Sequence, residues 1–322
     1  MKRLFVFGCS YTAYSWPTWA DLLSIHFDRF ENWGLAGIGN RGISERIAEC
    51  NVKYKFGPED TVIVQWSTHL RNDFFHQEGE LKDRLPGWKT AGSIFNYLNS
   101  PIYDRKWYKT FFDEEAYFMH SLNSITMTQQ LLEHTGAKWL MTGVGDVREL
   151  GTDLEYKSEY GESSIFAELK TKLLGPSKPF GYKISPALEV YDNPIWGIHK
   201  DKWLPPIFPY LTAKKFKDAF FIFPDGHGKQ FEDQHFKTGQ QSIWLTEVLL
   251  PKLALLPEAD RYNTIAERVD EIFNNIPLER RFKTEFEKEL FREKFRLPRW
   301  PNMIKGFYNF KNEKRYLDCS YC

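Results

Sequence analysis

The apolar positions of this chain gather into short runs set apart by turn residues. Leu4-Phe5-Val6-Phe7 is continuous, the pattern of a strand buried on both faces, and Gly8-Cys9-Ser10-Tyr11-Thr12 follows it. Pro17 then stands near the first turn of a predicted helix beginning around Thr18-Trp19. Residues 30–33 predict a short strand ending in the glycine-rich Gly34-Leu35-Ala36-Gly37-Ile38-Gly39-Asn40, and residues 43–54 a helix. Gly57-Pro58 turns the chain into Thr61-Val62-Ile63-Val64-Gln65-Trp66, the clearest strand of all. Further on, 114–134 predicts a helix, 137–142 a strand, 219–223 a short fifth strand and 238–255 a helix broken or ended near Pro251. Strand alternating with helix implies a parallel sheet with right-handed crossovers. In such sheets ligands sit beyond the carboxyl ends of the strands. The residues just after each apolar run are therefore the candidates for chemistry.

Two stretches interrupt the alternation. Residues 74–113 are aromatic and turn-rich, and they follow the third strand, so they belong to the ligand side, where long loops shape substrate sites. Residues 147–215 are irregular, with many Pro, Gly, Lys and Tyr, and read as a second insertion. The expected division is one domain over 1–256 and a charged helical extension over 257–322, which offers a surface for homo-oligomer or assembly contacts. The architecture implied is an α/β/α sandwich around a central parallel sheet, with large loop insertions and a C-terminal helical extension.

Charge narrows the partners. With 43 Lys+Arg against 43 Asp+Glu the chain is formally neutral, whereas a general nucleic-acid or anionic-membrane binder needs a basic excess. No apolar run approaches membrane-spanning length, and the four apolar residues after Met1-Lys2-Arg3 are too few for a signal-peptide core. A cytoplasmic protein is expected. The four cysteines do not form a disulfide framework; Cys319 and Cys322 make a lone CxxC without a second pair, which reads as a tail rather than a zinc site. The histidines show no ligand spacing, and the glycine-rich stretch is neither Walker-like nor Gly-x-Gly-x-x-Gly, so neither metal nor nucleotide cofactor is expected. The 27 Phe, 16 Tyr and 11 Trp are an unusual number; some belong to the core, and amphipathic rings in such number also suit carbohydrate or interface contacts.

Candidate chemistry starts with Ser10. A serine at a strand-to-helix turn presents its hydroxyl near backbone N–H groups that stabilise developing negative charge; the plain alternative is that Ser10 or Thr12 merely caps the helix. A base is offered by Glu232-Asp233-Gln234-His235, where Asp233 or Glu232 lies close enough to fix the tautomer of the imidazole. Asp225-Gly226-His227 repeats the Asp-x-His spacing without a helix starting at once behind it.

Taken together these blocks resemble the SGNH (GDSL-type) hydrolase superfamily, esterases with a flavodoxin-like sheet. Its Gly-Asp-Ser block is matched by Gly8-Cys9-Ser10-Tyr11-Thr12, with Cys9 where Asp is usual. Its Asn with an oxyanion-hole glycine five residues on is matched by Asn32 and Gly37, with Gly39 and Asn40 nearby. Its final block, Asp-x-x-His-Pro with a later Gly, is matched by His235 and Gly239; Phe236 replaces Pro, Glu232 holds the usual acid position and Asp233 the preferred one. The Gly-x-Asn-Asp block is missing after the third strand. Trp66-Ser67-Thr68-His69 stands there, and the literal Asn72-Asp73 comes six residues after Trp66. At about 3.3 Å per strand residue that shift needs a loop or bulge, so Ser67 or Thr68 is the expected hydroxyl neighbour, with Arg71 or Asn72 reaching in from the following turn. The resemblance implies a cofactor-free serine esterase with Ser10, His235 and Asp233 as triad, acting on small-acyl, carbohydrate-linked esters, with lipid and thioester substrates as the alternatives. Its rival is a non-catalytic module of the same fold within a larger assembly.

Overall fold

A computed structural model describes residues 1–14, 16–69, 71–76, 87–93, 110, 114–145, 198–224, 230–232 and 235–275. The elements in chain order are β1 (Arg3–Phe7), α1 (Trp19–Leu23), β2 (Arg29–Asn32), α2 (Asn40–Tyr54), β3 (Asp60–Trp66), β4 (Arg71–His76), β5 (Gly87–Ser93), α3 (Glu114–Glu133), β6 (Lys138–Gly143), α4 (Ile207–Thr212), β7 (Ile222–Pro224), β8 (Gln230–Glu232), α5 (Thr238–Trp244), α6 (Leu250–Leu253) and α7 (Ala259–Asn275). A wider π-type turn, Leu245–Leu249, joins α5 to α6.

Four parallel strands form the central sheet in the order β2-β1-β3-β6. The continuous apolar runs seen in the sequence are its two middle strands: Leu4 to Phe7 and Val62 to Val64 are fully buried. Burying each such side chain stabilises the fold by roughly 1.5–3 kcal/mol. Right-handed crossovers that step first one way from β1 and then back across it set α1 and α2 on opposite faces. Phe5 accordingly packs on Tyr54 and Phe56 at the end of α2, while Trp19 of α1 meets Trp244 of α5 edge to face. The result is a three-layer α/β/α sandwich, with α2 and α3 packed together on one face and α1 and α5 on the other.

The expected fifth strand differs. Residues 222–224 pair antiparallel with 230–232 as a separate ribbon, and among the described residues the sheet continues beyond β6 through a single parallel bridge from Met141 to Trp203. Three residues ending in Pro224 cannot sit inside a ladder, since proline donates no hydrogen bond and belongs at edges. β4 and β5 form another antiparallel ribbon with a register shift between Arg71 and Asp73. The first helix of the 257–322 stretch, α7, lies against α5 and buries Tyr262, Ile265, Val269 and Phe273. Among the described residues no helix is long and apolar enough to cross a membrane.

Candidate active site

The turn after β1 is made by glycine. A Cβ on Gly8 would stand 2.1 Å from the Thr12 hydroxyl and 2.9 Å from the Gln65 carbonyl oxygen, so only glycine lets the chain turn this close to β3. Thr12 and Ala13 N–H groups donate back to the Cys9 carbonyl, closing the turn that carries Ser10. Thr12 does not cap a helix; its hydroxyl donates to Gln65 Oε1 at 2.8 Å inside the core, and Thr18 is the residue that caps α1, in a reciprocal capping box with Asp21. Asn32 Nδ2 donates to the Thr12 carbonyl at 2.8 Å while its Oδ1 accepts from Gly34 N–H, and Leu35 N–H donates to the Gly8 carbonyl. The Ser10 turn and the glycine-rich loop are thus tied to each other by backbone groups. Gly37 has φ +82°, a conformation open to glycine at little cost.

His235 arrives from the opposite end of the chain. Its Nε2 lies 2.7 Å from Ser10 Oγ across 225 residues of sequence. Ser10 is 6% exposed and His235 half-buried. Three aromatic side chains that follow Ser10 hold the imidazole: Tyr14 stacks on it with centroids 3.8 Å apart and planes 19° apart, Tyr11 lies at 4.9 Å, and Trp16 meets it edge-on at 6.5 Å. Trp16 Nε1 also donates to the Phe236 carbonyl at 3.1 Å, and its ring is flanked by Phe221 and by Phe273 of α7. The next residues are anchored as well. Lys237 is buried, bonded to Asp218 Oδ2 at 2.6 Å and set over the Phe221 ring, and Thr238 Oγ1 donates to the Pro17 carbonyl. Asp233 lies outside the described residues, as does the Asp225-Gly226-His227 repeat; Glu232 ends β8.

The segment after β3 packs against the start of α2. Asn40 is buried, its Oδ1 accepting from Ser67 N–H at 2.7 Å and its Nδ2 donating to the Ser67 carbonyl and to Ser121 Oγ, so it bridges α2 to the end of β3 and to α3. Ser67 is buried, and its hydroxyl has no partner among the described residues. Thr68, Arg71 and Asn72 are half-buried. Arg71 directs its guanidinium to the Ile38 carbonyl at 3.1 Å. Asp73, 2% exposed, receives Gly39 N–H on both oxygens at 2.9 Å and Gly42 N–H at 3.0 Å. Burial pushes its carboxyl up to about 6, against the pull of those two N–H groups and of Arg71; Glu45 pushes the same way as burial. Sequence reasoning passed over Asp73, and a signal for it existed: α2 opens on Gly39, which has no side chain to cap it, so its first N–H groups require an acceptor from elsewhere.

A turn-borne hydroxyl bonded to an imidazole, beside a glycine loop at the carboxyl ends of parallel strands, is an arrangement able to transfer a proton and attack a carbonyl. The chain is similar in structure to a lipolytic protein. That protein is a member of the lipolytic protein G-D-S-L family from Veillonella parvula, 10% identical with a TM-score of 0.32 over 86% of this chain and 100% of the other. A second similar structure is the protein YXIM of Bacillus subtilis, 12% identical with a TM-score of 0.29 over 86% of this chain and 58% of that one. No family model and no curated protein matches the sequence.

Proposed function

We propose that the chain is a serine esterase of the SGNH kind. Ser10 Oγ attacks the ester carbonyl as His235 Nε2 takes its proton. The tetrahedral oxyanion meets the backbone N–H groups of Ser10 and Gly37. His235 returns the proton to the leaving alkoxide, and a water then repeats the sequence on the acyl-enzyme, releasing the acid. Asp233 is the residue assigned to orient the imidazole. The observation that carries this reading is the 2.7 Å contact between Ser10 Oγ and His235 Nε2, within the range required of a nucleophile and its base.

The substrate class assigned is a small acyl group, acetyl above all, on a carbohydrate. A serine only 6% exposed favours a short acyl chain over a long one, and Tyr11 and Tyr14, packed on His235, are rings of the kind that cover a sugar face. The reaction needs no cofactor. A non-catalytic module is the second reading, favoured by the way Ser67, Arg71 and Asp73 turn polar groups to Asn40 and to the backbone of Ile38, Gly39 and Gly42. Hydrolysis of p-nitrophenyl acetate and of acetylated oligosaccharides by wild type and Ser10→Ala separates the two. A rate in wild type that vanishes in the variant is expected; equal rates remove Ser10 from the mechanism and leave the binding module.

A further inference from the structure

We infer that Arg71 and Asp73 form a positioning pair that sets the backbone of the Gly37 loop and so fixes where its N–H group meets the oxyanion, an inference that rests on the esterase reading. Gly37 lies between two anchors. On its amino side, Leu35 N–H is bonded to the Gly8 carbonyl at 2.9 Å, which ties the loop to the turn carrying Ser10. On its carboxyl side the Asn40 side chain is bonded to Ser67 at the end of β3, while Gly39 and Gly42 have no side chains of their own and take a further tie from outside. The tie comes from the start of β4, more than 30 residues later. Arg71 takes the Ile38 carbonyl and Asp73 takes the N–H groups of Gly39 and Gly42. One donor and one acceptor side chain, two positions apart, thereby hold opposite polarities of the same short backbone segment.

The fit leaves little slack. A Cβ on Gly39 would stand 2.8 Å from Asp73 Oδ2 and 2.9 Å from the Arg71 carbonyl oxygen, and one on Gly42 would stand 3.0 Å from Asp73 Oδ2. Gly39 therefore admits the carboxylate to the backbone, and Gly42 admits both the carboxylate and the Ile38 side chain, whose Cγ1 would stand 2.8 Å from a Cβ there. The Ile38 N–H closes a tight turn onto the Leu35 carbonyl at 3.2 Å, so a shift at residues 38 and 39 is transmitted to Gly37 with only one residue between. Oxyanion donors act through placement, and an error near 1 Å costs on the order of 100-fold in rate. A carboxylate is an acceptor on both oxygens; an asparagine amide would turn an NH₂ donor toward one of the two N–H groups.

The test compares wild type, Ser10→Ala, Asp73→Asn and Arg71→Met in steady-state hydrolysis of p-nitrophenyl acetate, with circular dichroism reporting the fold. Asp73→Asn is expected to lower kcat by on the order of 10- to 100-fold with KM within about twofold, because the loop contributes to the transition state alone. Arg71→Met, at a half-buried position, is expected to lower kcat by roughly 3- to 10-fold with the same split, and it carries the test if Asp73→Asn does not fold. A Ser10-dependent wild type whose folded variants keep kcat, or lose activity through KM instead, overturns the positioning role and leaves the esterase standing. Equal rates for wild type and Ser10→Ala overturn the esterase and the positioning role with it.

Discussion

The two halves of the candidate site are held by different forces. The serine's half is fixed by directional hydrogen bonds: Asn32 to the Thr12 carbonyl, Leu35 N–H to the Gly8 carbonyl, Thr12 to Gln65, and Asp73 to Gly39 and Gly42. The histidine's half leans on ring packing around the imidazole, with Tyr14 on its face, Trp16 wedged between Phe221 and Phe273, and Phe208 and Phe220 against Phe236, while hydrogen bonds hold the residues behind it, Phe236 to Thr238. Hydrogen bonds fix a backbone group in direction and distance, as oxyanion donors require. Stacked rings fix a plane while allowing the ring to slide within it. That suits an imidazole which, in the proposed mechanism, exchanges a proton first with the serine and then with the leaving group. The contrast assigns geometry to the first half and adaptable support to the second.

The largest effect expected falls on the one contact where the halves meet. His235→Ala should lower the rate of ester hydrolysis by at least about a thousandfold while the fold persists, since removing a nucleophile's base leaves only binding and the oxyanion donors. A single-turnover assay with p-nitrophenyl acetate reads it, and a loss below tenfold would break the link between the halves. Next comes the ring half itself. Trp16 is 1% exposed, and Trp16→Leu should cost about 2–4 kcal/mol of stability in urea unfolding. It should also reduce activity in the fully folded variant, because the Phe236 carbonyl loses the indole donor that steadies the residue after His235.

How much of this was visible in the sequence follows the same division. The sheet was legible because β1 and β3 are apolar without interruption, and such runs have few alternatives. The Ser10 and Gly37 loops were legible because short glycine-bearing turns after strands carry a fixed geometry. The fifth strand was misplaced because residues 219–223 have strand-like apolarity, while Pro224 at the end of the run forbids a place inside the sheet. Asn40, noted in the sequence only as lying near Gly37, has both ends of its amide bonded to Ser67 and Ser121; sequence shows that a side chain can form hydrogen bonds, not which partner the fold brings to it. Tyr11, Tyr14 and Trp16 lie close together in the sequence, but His235, which they contact, comes from near the other end of the described chain, and nothing local encodes the meeting. Asp73 was hidden for the same reason, its partners lying on another element.

The hydrogen-bonded half has its own signature in pH. Asp73 is raised from an ordinary value of 3.8 to about 6 by burial. For an acid raised on folding, the folded state holds more protons than the unfolded one between those values. Stability from this group is therefore fully present below pH 3.8 and is lost as pH rises through about 6. The loss amounts to roughly 3 kcal/mol at most. Glu49, raised to about 7 chiefly by burial and held back by Arg46 and Lys53, adds to the same trend. Asp73→Asn removes only the first contribution. Thermal melts of both proteins from pH 4 to 7 should show the advantage of wild type over the variant shrinking as pH rises. A gap that stays constant would mean the carboxyl does not titrate in this range, and the buried clamp would be ionic throughout.

The smallest effect separates ring from hydroxyl at Tyr14. As His235 takes the serine proton in the proposed mechanism it becomes an imidazolium, and the face of Tyr14, 3.8 Å away, is where the negative side of an aromatic quadrupole meets that charge. Such contacts are worth about 0.5–1.5 kcal/mol, or roughly 2- to 12-fold in rate. Tyr14→Leu should therefore lower kcat by about 5- to 10-fold, and Tyr14→Phe, which keeps the ring, by less than about twofold. Equal losses in both variants would assign the effect to the hydroxyl. In that case a directional bond would outweigh ring packing at the imidazole itself, and the division drawn between the two halves would fail at the residue nearest the chemistry.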